Sequence, residues 1–259
     1  MLIGAMNHPQ NDLLSEIAWM KKLNLDFIDI SLEPPLAASW RIDPHEMRAA
    51  LDDVGMTCVG HTAFYLPFAS PFESIRKAAV AEAIDCLEAF AVLGAKYMNL
   101  HPDRFIPMHS RKFWVERNLV SLHELHDASK QLGVALMIEN LPGCFNTVKE
   151  LAELLDEVPD LGLHLDIGHS NLQVPYNTAD ELIARWPRRI YHVHLHDNTG
   201  GHADLHLPLG AGTIDIQRHL RALKKSGYDG TITLEVFTKD QYYLAHSREI
   251  LRKLWDSVH

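Results

Sequence analysis

The chain has 259 residues, of which 47% are hydrophobic and 22% are charged, the composition of an ordinary globular protein that is long enough to bury a core. A formal net charge of -10 argues against non-specific binding to polyanions, although a local basic groove is compatible with an acidic average. No segment has the length and apolarity of a membrane span, and the N-terminal run Met1–Met6 lacks the basic flank of a signal peptide.

Short apolar segments with the composition of strands alternate along the chain with segments whose apolar residues recur at helical spacing. The predicted strands are Leu2–Met6, Phe27–Leu32, Met56–His61, Lys96–Leu100, Val134–Glu139, Leu161–Asp166, Arg189–His194 and Thr231–Val236. The predicted helices are Asp12–Leu23, Pro44–Val54, Phe72–Leu93, Phe113–Leu132, Val148–Glu157, Ala179–Trp186, Asp215–Ser226 and Gln241–Trp255. Gly55, Gly94 and Gly133 directly follow three of these helices and predict where they end.

This order of elements predicts an α/β fold, a (β/α)8 TIM barrel that forms a single domain over residues 1–259. A doubly wound open sheet is the competing architecture. Such a sheet usually carries a Gly-rich phosphate-binding turn after its first strand. The sequence Met-Asn-His-Pro at positions 6–9 is not such a turn, so the barrel is favoured.

Titratable side chains follow six consecutive predicted strands, where the C-terminal ends of barrel strands converge on the face that carries active sites. A single histidine in such a place is more often a hydrogen-bonded structural residue than a ligand, so the hypothesis of a metal site depends on the convergence of many. The candidate metal ligands are His61, His101, Glu139, Asp166, His169, His194, Asp204, His206 and Glu235.

The donor types restrict the choice of metal. Glu139 and Glu235 end apolar runs, and burying an unpaired carboxylate is costly, which leaves ion pairing or a metal as the explanation. Imidazole and carboxylate donors without thiolate are compatible with zinc, manganese, cobalt, magnesium or iron. Several histidines favour zinc or manganese over magnesium, which prefers oxygen ligands.

Other polar residues near these positions receive weaker predictions. His192 is expected to point away from His194 and to pack outside the barrel, and His164 is expected to lie deeper on the face of Asp166. The adjacent pair His196 and Asp197 is expected to support a metal ligand or to contact substrate.

The chain has three cysteines, Cys58, Cys86 and Cys144. Their odd number and wide spacing suit free thiols in a reducing compartment, so we expect a cytoplasmic protein.

With these residues in place, the chain resembles the xylose isomerase-like barrel superfamily over nearly its whole length. This superfamily includes sugar isomerases, sugar epimerases and endonuclease IV. The most specific motifs are G-H-T-A-F-Y-L-P-F-A-S from Gly60, N-L-H-P at 99–102, I-E-N at 138–140, L-D-I-G-H at 165–169, H-V-H-L-H-D-N from His192, D-L-H-L-P-L-G-A-G-T-I-D from Asp204 and L-E-V at 234–236.

The resemblance to endonuclease IV implies three zinc ions, because all nine candidate ligands match the positions of zinc ligands in that family. Three of its motifs differ here, however. Its Asp-Arg-His is Asp-Leu-His at 204–206, its His-Leu-Asn-Asp-Ser-Lys is H-L-H-D-N-T from His194, and its Cys-Leu-Asp-Thr-Cys-His is H-L-D-I-G-H from His164. The lysine and arginine that would meet a DNA backbone are missing from these motifs, which argues against a nuclease.

The resemblance to the epimerases implies a single divalent ion on Glu139, Asp166, His194 and Glu235. It also implies that the two glutamates act as acid and base at the carbon beside a carbonyl, and that His169 contacts the substrate. Together these make Glu139, Glu235 and His169 the expected catalytic residues.

Three functions therefore follow as hypotheses. The first is a divalent-metal-dependent isomerase or epimerase of a small sugar, keto-sugar or polyol derivative that transfers a proton next to a metal-bound carbonyl. The second is an endonuclease IV-like multinuclear zinc phosphodiesterase. The third is a dehydratase or lyase that uses the same metal ligands. The expected partner is a small sugar-like molecule and not a membrane; nucleic acid is disfavoured but stays open, as does a homo-oligomer.

Overall fold

In the computed structural model, which describes residues 1–104 and 107–258, eight strands form one closed barrel in sequence order. Each strand precedes a helix, so the predicted (β/α)8 TIM barrel is confirmed. The strands are β1 Leu2–Met6, β2 Phe27–Leu32, β3 Thr57–Thr62, β4 Tyr97–Leu100, β5 Ala135–Glu139, β6 Gly162–Asp166, β7 Ile190–Leu195 and β8 Thr231–Leu234. The α-helices are α1 Leu13–Lys22, α2 Pro44–Val54, α3 Glu73–Leu93, α4 Arg111–Leu132, α5 Val148–Leu155, α6 Ala179–Arg185, α7 Ile216–Lys225 and α8 Tyr242–Ser257.

The chain divides into two compact units. The first unit contains residues 6–139 and 152–162, and the second contains residues 1–5, 140–151 and 163 onward. Within the first unit, β2, β3, β4 and β5 pair in parallel. Within the second, β6, β7, β8 and β1 pair in parallel. The single domain over residues 1–259 stays a prediction.

Local sequence signals set the helix ends. The carboxylates of Asp12 and Asp43 accept backbone N–H bonds in the first turns of α1 and α2, as N-cap residues do. Helices α2, α3 and α4 end at Gly55, Gly94 and Gly133, with φ of 64°, 76° and 72°. These left-handed values favour glycine, so the three predicted helix ends are confirmed.

Three strand ends differ from the prediction beside predicted site residues. Strand β3 continues one residue past His61, to Thr62. Strand β7 continues to Leu195, whereas β8 ends at Leu234, so Glu235 follows the strand. The Glu235 N–H still donates to the carbonyl of Leu195 at 3.1 Å, which fixes its backbone beside β7. A short 3-10 helix, His169–Asn171, was not predicted.

The cysteines agree with a further expectation. Cys58, Cys86 and Cys144 are buried and unbridged, as predicted for free thiols. Among residues 1–104 and 107–258, no helix combines the length and the apolarity that crossing a bilayer requires.

Candidate metal centre

Three predicted ligands meet in the first unit, and we call them the β3–β5 cluster: His61 near the end of β3, His101 after β4, and Glu139 at the end of β5. The Nε2 atoms of the two histidines lie 3.3 Å apart, and His101 Nε2 lies 2.9 Å from Glu139 Oε2. All three side chains are buried. The prediction that these donors converge is therefore met within this unit, whereas their role as ligands stays a prediction.

A fourth residue, Asn99, holds the β3–β5 cluster together. Its amide donates to Glu139 Oε2 at 2.8 Å and approaches His61 Nε2 at 3.3 Å. An amide nitrogen can only donate, so His61 accepts at Nε2 and carries its proton on Nδ1, which lies 3.7 Å from Asp29 Oδ1. We did not predict Asn99 as a site residue, although strand alternation places it on the same face as position 101.

In the second unit, three more predicted ligands lie at the ends of β6, β7 and β8, and we call Asp166, His194 and Glu235 the strand-end trio. Asp166 and His194 are register partners on adjacent strands. His194 Nδ1 lies 3.3 Å from Glu235 Oε2. All three residues are at least nine-tenths buried, and their donor set of two carboxylates and one imidazole suits a divalent cation.

A second group in the same unit contains the other three predicted ligands. His169 Nε2 and His206 Nε2 lie 3.1 and 3.2 Å from the same atom, Asp204 Oδ2. His196, from the segment just after β7, approaches with Nε2 3.5 Å from Asp204 Oδ1. Each of these four residues, which we call the loop cluster, offers a donor atom within 4.8 Å of the others.

The charges of the loop cluster are strongly coupled. Burial raises the pKa of Asp204, but hydrogen bonds from His169 and His206 outweigh it and hold that pKa well below its ordinary value. Burial lowers the pKa of His206, but the hydrogen bond to Asp204 and the charge of Glu235 raise it to about 9. The cluster therefore attracts positive charge.

His196 was expected only to support a ligand or to contact substrate, and the structure places its ring inside the loop cluster. The ring is fully buried and stacks on that of His206, with centroids 4.2 Å apart. It lies over Gly168, where an added Cβ would come within 2.1 Å of His196 Nε2. The glycine of the L-D-I-G-H motif is therefore needed for the close approach of this imidazole.

Asp197 anchors the loop that follows β7. Its carboxylate accepts backbone N–H bonds from Gly210, Gly212 and Ile214 at 2.9 to 3.2 Å. The H-D-N and G-A-G-T-I motifs are thus two halves of one loop structure, which explains their joint presence in the sequence.

The prediction for His192 was wrong. His192 is fully buried, and its ring centroid lies 5.3 Å from that of His194. Residues two apart on a strand share a face, so His192 and His194 point the same way. His192 contacts the hydroxyls of Thr231 and Thr233 at 2.6 and 3.0 Å. His164 is also fully buried, with its ring 4.0 Å from that of His194, as expected for a core residue.

A closed parallel barrel in which each strand is followed by a helix defines the class of (β/α)8 barrel proteins, and the His, Asp and Glu side chains described above are groups that could hold a metal ion. The family model described as xylose isomerase-like TIM barrel matches residues 17–254, and the chain belongs to this family.

Three individual proteins show the range of this similarity. An uncharacterised protein of Methanocaldococcus jannaschii is 30% identical over 203 residues, which are 73% of this chain and 67% of that protein. A ketose 3-epimerase of Arthrobacter globiformis is 27% identical over 137 residues, which are 50% of this chain and 45% of the enzyme. The crystal structure of a D-tagatose 3-epimerase-like protein is 27% identical and has a TM-score of 0.89, and the match covers 100% of this chain and 98% of the other.

Proposed function

We propose that the protein is a divalent-metal-dependent isomerase or epimerase of a small sugar, keto-sugar or polyol derivative. The observation that carries this proposal is the strand-end trio, in which the buried residues Asp166 and His194 are register partners and His194 Nδ1 lies 3.3 Å from Glu235 Oε2, in a chain similar to sugar 3-epimerases. Fold alone does not define an activity, so the proposal depends on these side chains.

The donor set supports the binding of a divalent ion. Asp166, His194 and Glu235 would hold it together with Glu139, which the family resemblance assigns to the same ion. Zinc or manganese fits this mixture of nitrogen and oxygen donors best, and cobalt or magnesium remains an alternative. When bound, such an ion polarises a carbonyl group and so acidifies the adjacent C–H bond.

Glu139 and Glu235 are proposed as the proton carriers. One carboxylate, in its ionised form, removes the proton from the carbon beside the carbonyl, and the other, protonated, returns a proton to that carbon. Two contacts orient Glu235: His194 Nδ1 lies 3.3 Å from its Oε2, and His206 Nδ1 lies 3.1 Å from its carbonyl oxygen.

His169 and two aromatic side chains are proposed to contact the substrate. His169 follows Asp166 closely, and its Nδ1 lies 3.3 Å from Asp166 Oδ2. Phe237 is 60% exposed and lies over His206, with ring centroids 4.6 Å apart. Phe64 is 61% exposed and lies edge-on to His101 in the first unit. Exposed rings beside polar clusters suit the apolar face of a sugar.

The direct test is turnover of free ketoses, D-tagatose and D-psicose among them, in deuterated water with manganese, cobalt, zinc or magnesium. We expect an epimeric ketose that carries deuterium at the inverted carbon. Glu235→Gln should reduce turnover by about 100-fold or more, the scale of acid–base catalysis. Glu249→Gln, on an exposed position of α8, is the matched control. An active Glu235→Gln variant would exclude this mechanism, and loss of water from the substrate would indicate a dehydratase instead.

A second candidate is a zinc phosphodiesterase of the endonuclease IV type. It is favoured by the β3–β5 cluster and the loop cluster, which supply ligands that a single-ion epimerase does not need. Its metal ions would activate water and stabilise the leaving oxygen. It predicts that zinc-loaded protein cleaves DNA at abasic sites and that His61→Ala or His101→Ala abolishes cleavage. Intact DNA after incubation with fully loaded protein would argue against this candidate.

A further inference from the structure

The ring nitrogens of the loop cluster are assigned by their backbone contacts. His169 Nδ1 lies 3.1 Å from the carbonyl oxygen of Asn140, and His206 Nδ1 lies 3.1 Å from that of Glu235. A carbonyl oxygen only accepts, so both Nδ1 atoms carry protons. In a neutral imidazole, Nε2 then has a lone pair and no proton. Metal-binding histidines commonly have this arrangement, with one ring N–H on a backbone carbonyl.

In the neutral form of both rings, the two Nε2 lone pairs face one carboxylate oxygen. His169 Nε2 and His206 Nε2 lie 3.1 and 3.2 Å from Asp204 Oδ2. Two lone pairs aimed at a negative oxygen repel unless positive charge lies among them. A divalent cation bound among these three atoms would supply that charge.

His196 brings a third imidazole to the same place. Its Nδ1 faces the carbonyl oxygen of Asp197 at 3.4 Å. Its Nε2 is buried and has no hydrogen-bond partner within residues 1–104 and 107–258; carboxylate oxygens of Asp166 and Asp204 lie 3.5 Å away. An unsatisfied nitrogen that faces carboxylates at this depth is costly, and a cation bound among these atoms would satisfy it.

We propose that His196 is the fourth protein ligand of a second divalent ion, which His169, Asp204 and His206 also bind. The family resemblance assigns the other three positions to metal binding, but endonuclease IV has asparagine at the position of His196. Three imidazole nitrogens and one carboxylate oxygen suit zinc. The Asp204 side chain is 35% exposed, so the ion has a path from solvent.

Four protein donors change what this ion does. Zinc with four protein ligands and no other donor is a closed structural site, whereas a catalytic ion also keeps a position for water or substrate, as the ion proposed on the strand-end trio and Glu139 must do. The ion would therefore fix the loop rather than activate water. It would join the 3-10 helix after β6, the end of β7 and the loop residue His206, whose Nδ1 contacts the Glu235 carbonyl. Glu235 would thus be held in place by an ion that takes no part in proton transfer.

The test measures metal content and coordination geometry, and neither measurement depends on turnover. Wild-type protein is dialysed against buffered zinc and analysed for bound metal, and its cobalt-substituted form is examined by visible absorption. We expect two ions per chain and the intense bands of four-coordinate cobalt from the loop cluster. His196→Asn should lower the affinity for one ion by more than about 10-fold and remove the intense bands. His192→Asn, at a buried histidine on the same face of β7, is the matched control.

Each outcome is informative. Wild-type protein without four-coordinate cobalt bands would overturn the inference, even if the His196→Asn variant failed to fold. A folded His196→Asn variant that keeps both ions and the bands would also overturn it. Loss of the bands in His192→Asn, with circular dichroism unchanged, would show that they do not report on His196. If the protein binds a single ion and His196→Asn does not change its affinity, the proposal of a second ion is wrong, whereas the proposed epimerase function still stands.

Discussion

The loop cluster and the β3–β5 cluster contain the same residue types, yet their contacts differ. In the β3–β5 cluster, the Asn99 amide lies 2.8 Å from Glu139 Oε2 and 3.3 Å from His61 Nε2, so this amide can donate hydrogen bonds to both acceptors. In the loop cluster, the Nδ1 protons of His169 and His206 are taken by backbone carbonyls. Ligand-type residues alone therefore do not define a cation site; the donors around them decide whether a cation is needed.

The largest expected effect is on the carboxylate shared by the loop cluster. Asp204→Asn removes the charge that His169 and His206 face at 3.1 and 3.2 Å. We expect the affinity for the second ion to fall by more than about 100-fold, beyond the effect of losing a supporting hydrogen bond. Competition with a zinc indicator measures this. Asp256→Asn, at an exposed position of α8, should leave affinity unchanged, and equal affinities in the two variants would contradict the prediction.

Removal of bound metal should lower the thermal stability of the protein, and the size of this loss should depend on the loop cluster. A ligand present at about 100 times its dissociation constant adds roughly 2.7 kcal/mol to the folded state. For a chain of this length, chelation should therefore lower the melting temperature by roughly 5 to 10 °C for one such ion. Differential scanning calorimetry with and without EDTA tests this. The shift should be smaller in Asp204→Asn, and an identical shift would place the stabilising ion elsewhere.

Gly168→Ala tests the loop cluster without removing a donor. The added Cβ would come within 2.1 Å of His196 Nε2, so the imidazole must move. We expect the affinity for the second ion to fall by about 10- to 100-fold, the scale observed when the support of a ligand is lost. The double variant with His196→Asn is the control. Because both changes act through one ring, their effects should not add, and simple additivity would show that Gly168 acts otherwise.

The smallest effect is expected in the β3–β5 cluster. Asn99→Leu keeps a similar side-chain volume but removes the amide that contacts His61 and Glu139. Lost hydrogen bonds of this kind cost about 1 to 2 kcal/mol of unfolding free energy. Chemical denaturation measures this cost, and elemental analysis should find the number of bound ions unchanged. Loss of an ion on this substitution would show that Asn99 helps to hold a cation, and the contrast between the clusters would disappear.

Much of this architecture could be predicted because its signals are local. Asp43 and Gly55 set the ends of α2 through contacts within a few residues of the helix. The bounds of the predicted strands placed Asp166 and His194 at or near strand ends, where they are register partners. Period-two strand alternation, applied wrongly, predicted that His192 packs outside the barrel. Its ring in fact lies against that of His194.

The sequence by itself determined the alternation of strands and helices, the helix caps and the placement of seven titratable residues at or near strand ends. Only the tertiary structure decided that His196 packs on Gly168 and that Asn99 lies between His61 and Glu139. The physical reason is the distance along the chain between the residues that determine each feature. Periodicity and capping depend on neighbours along the chain, whereas the proton on a ring nitrogen depends on atoms that folding brings from distant segments.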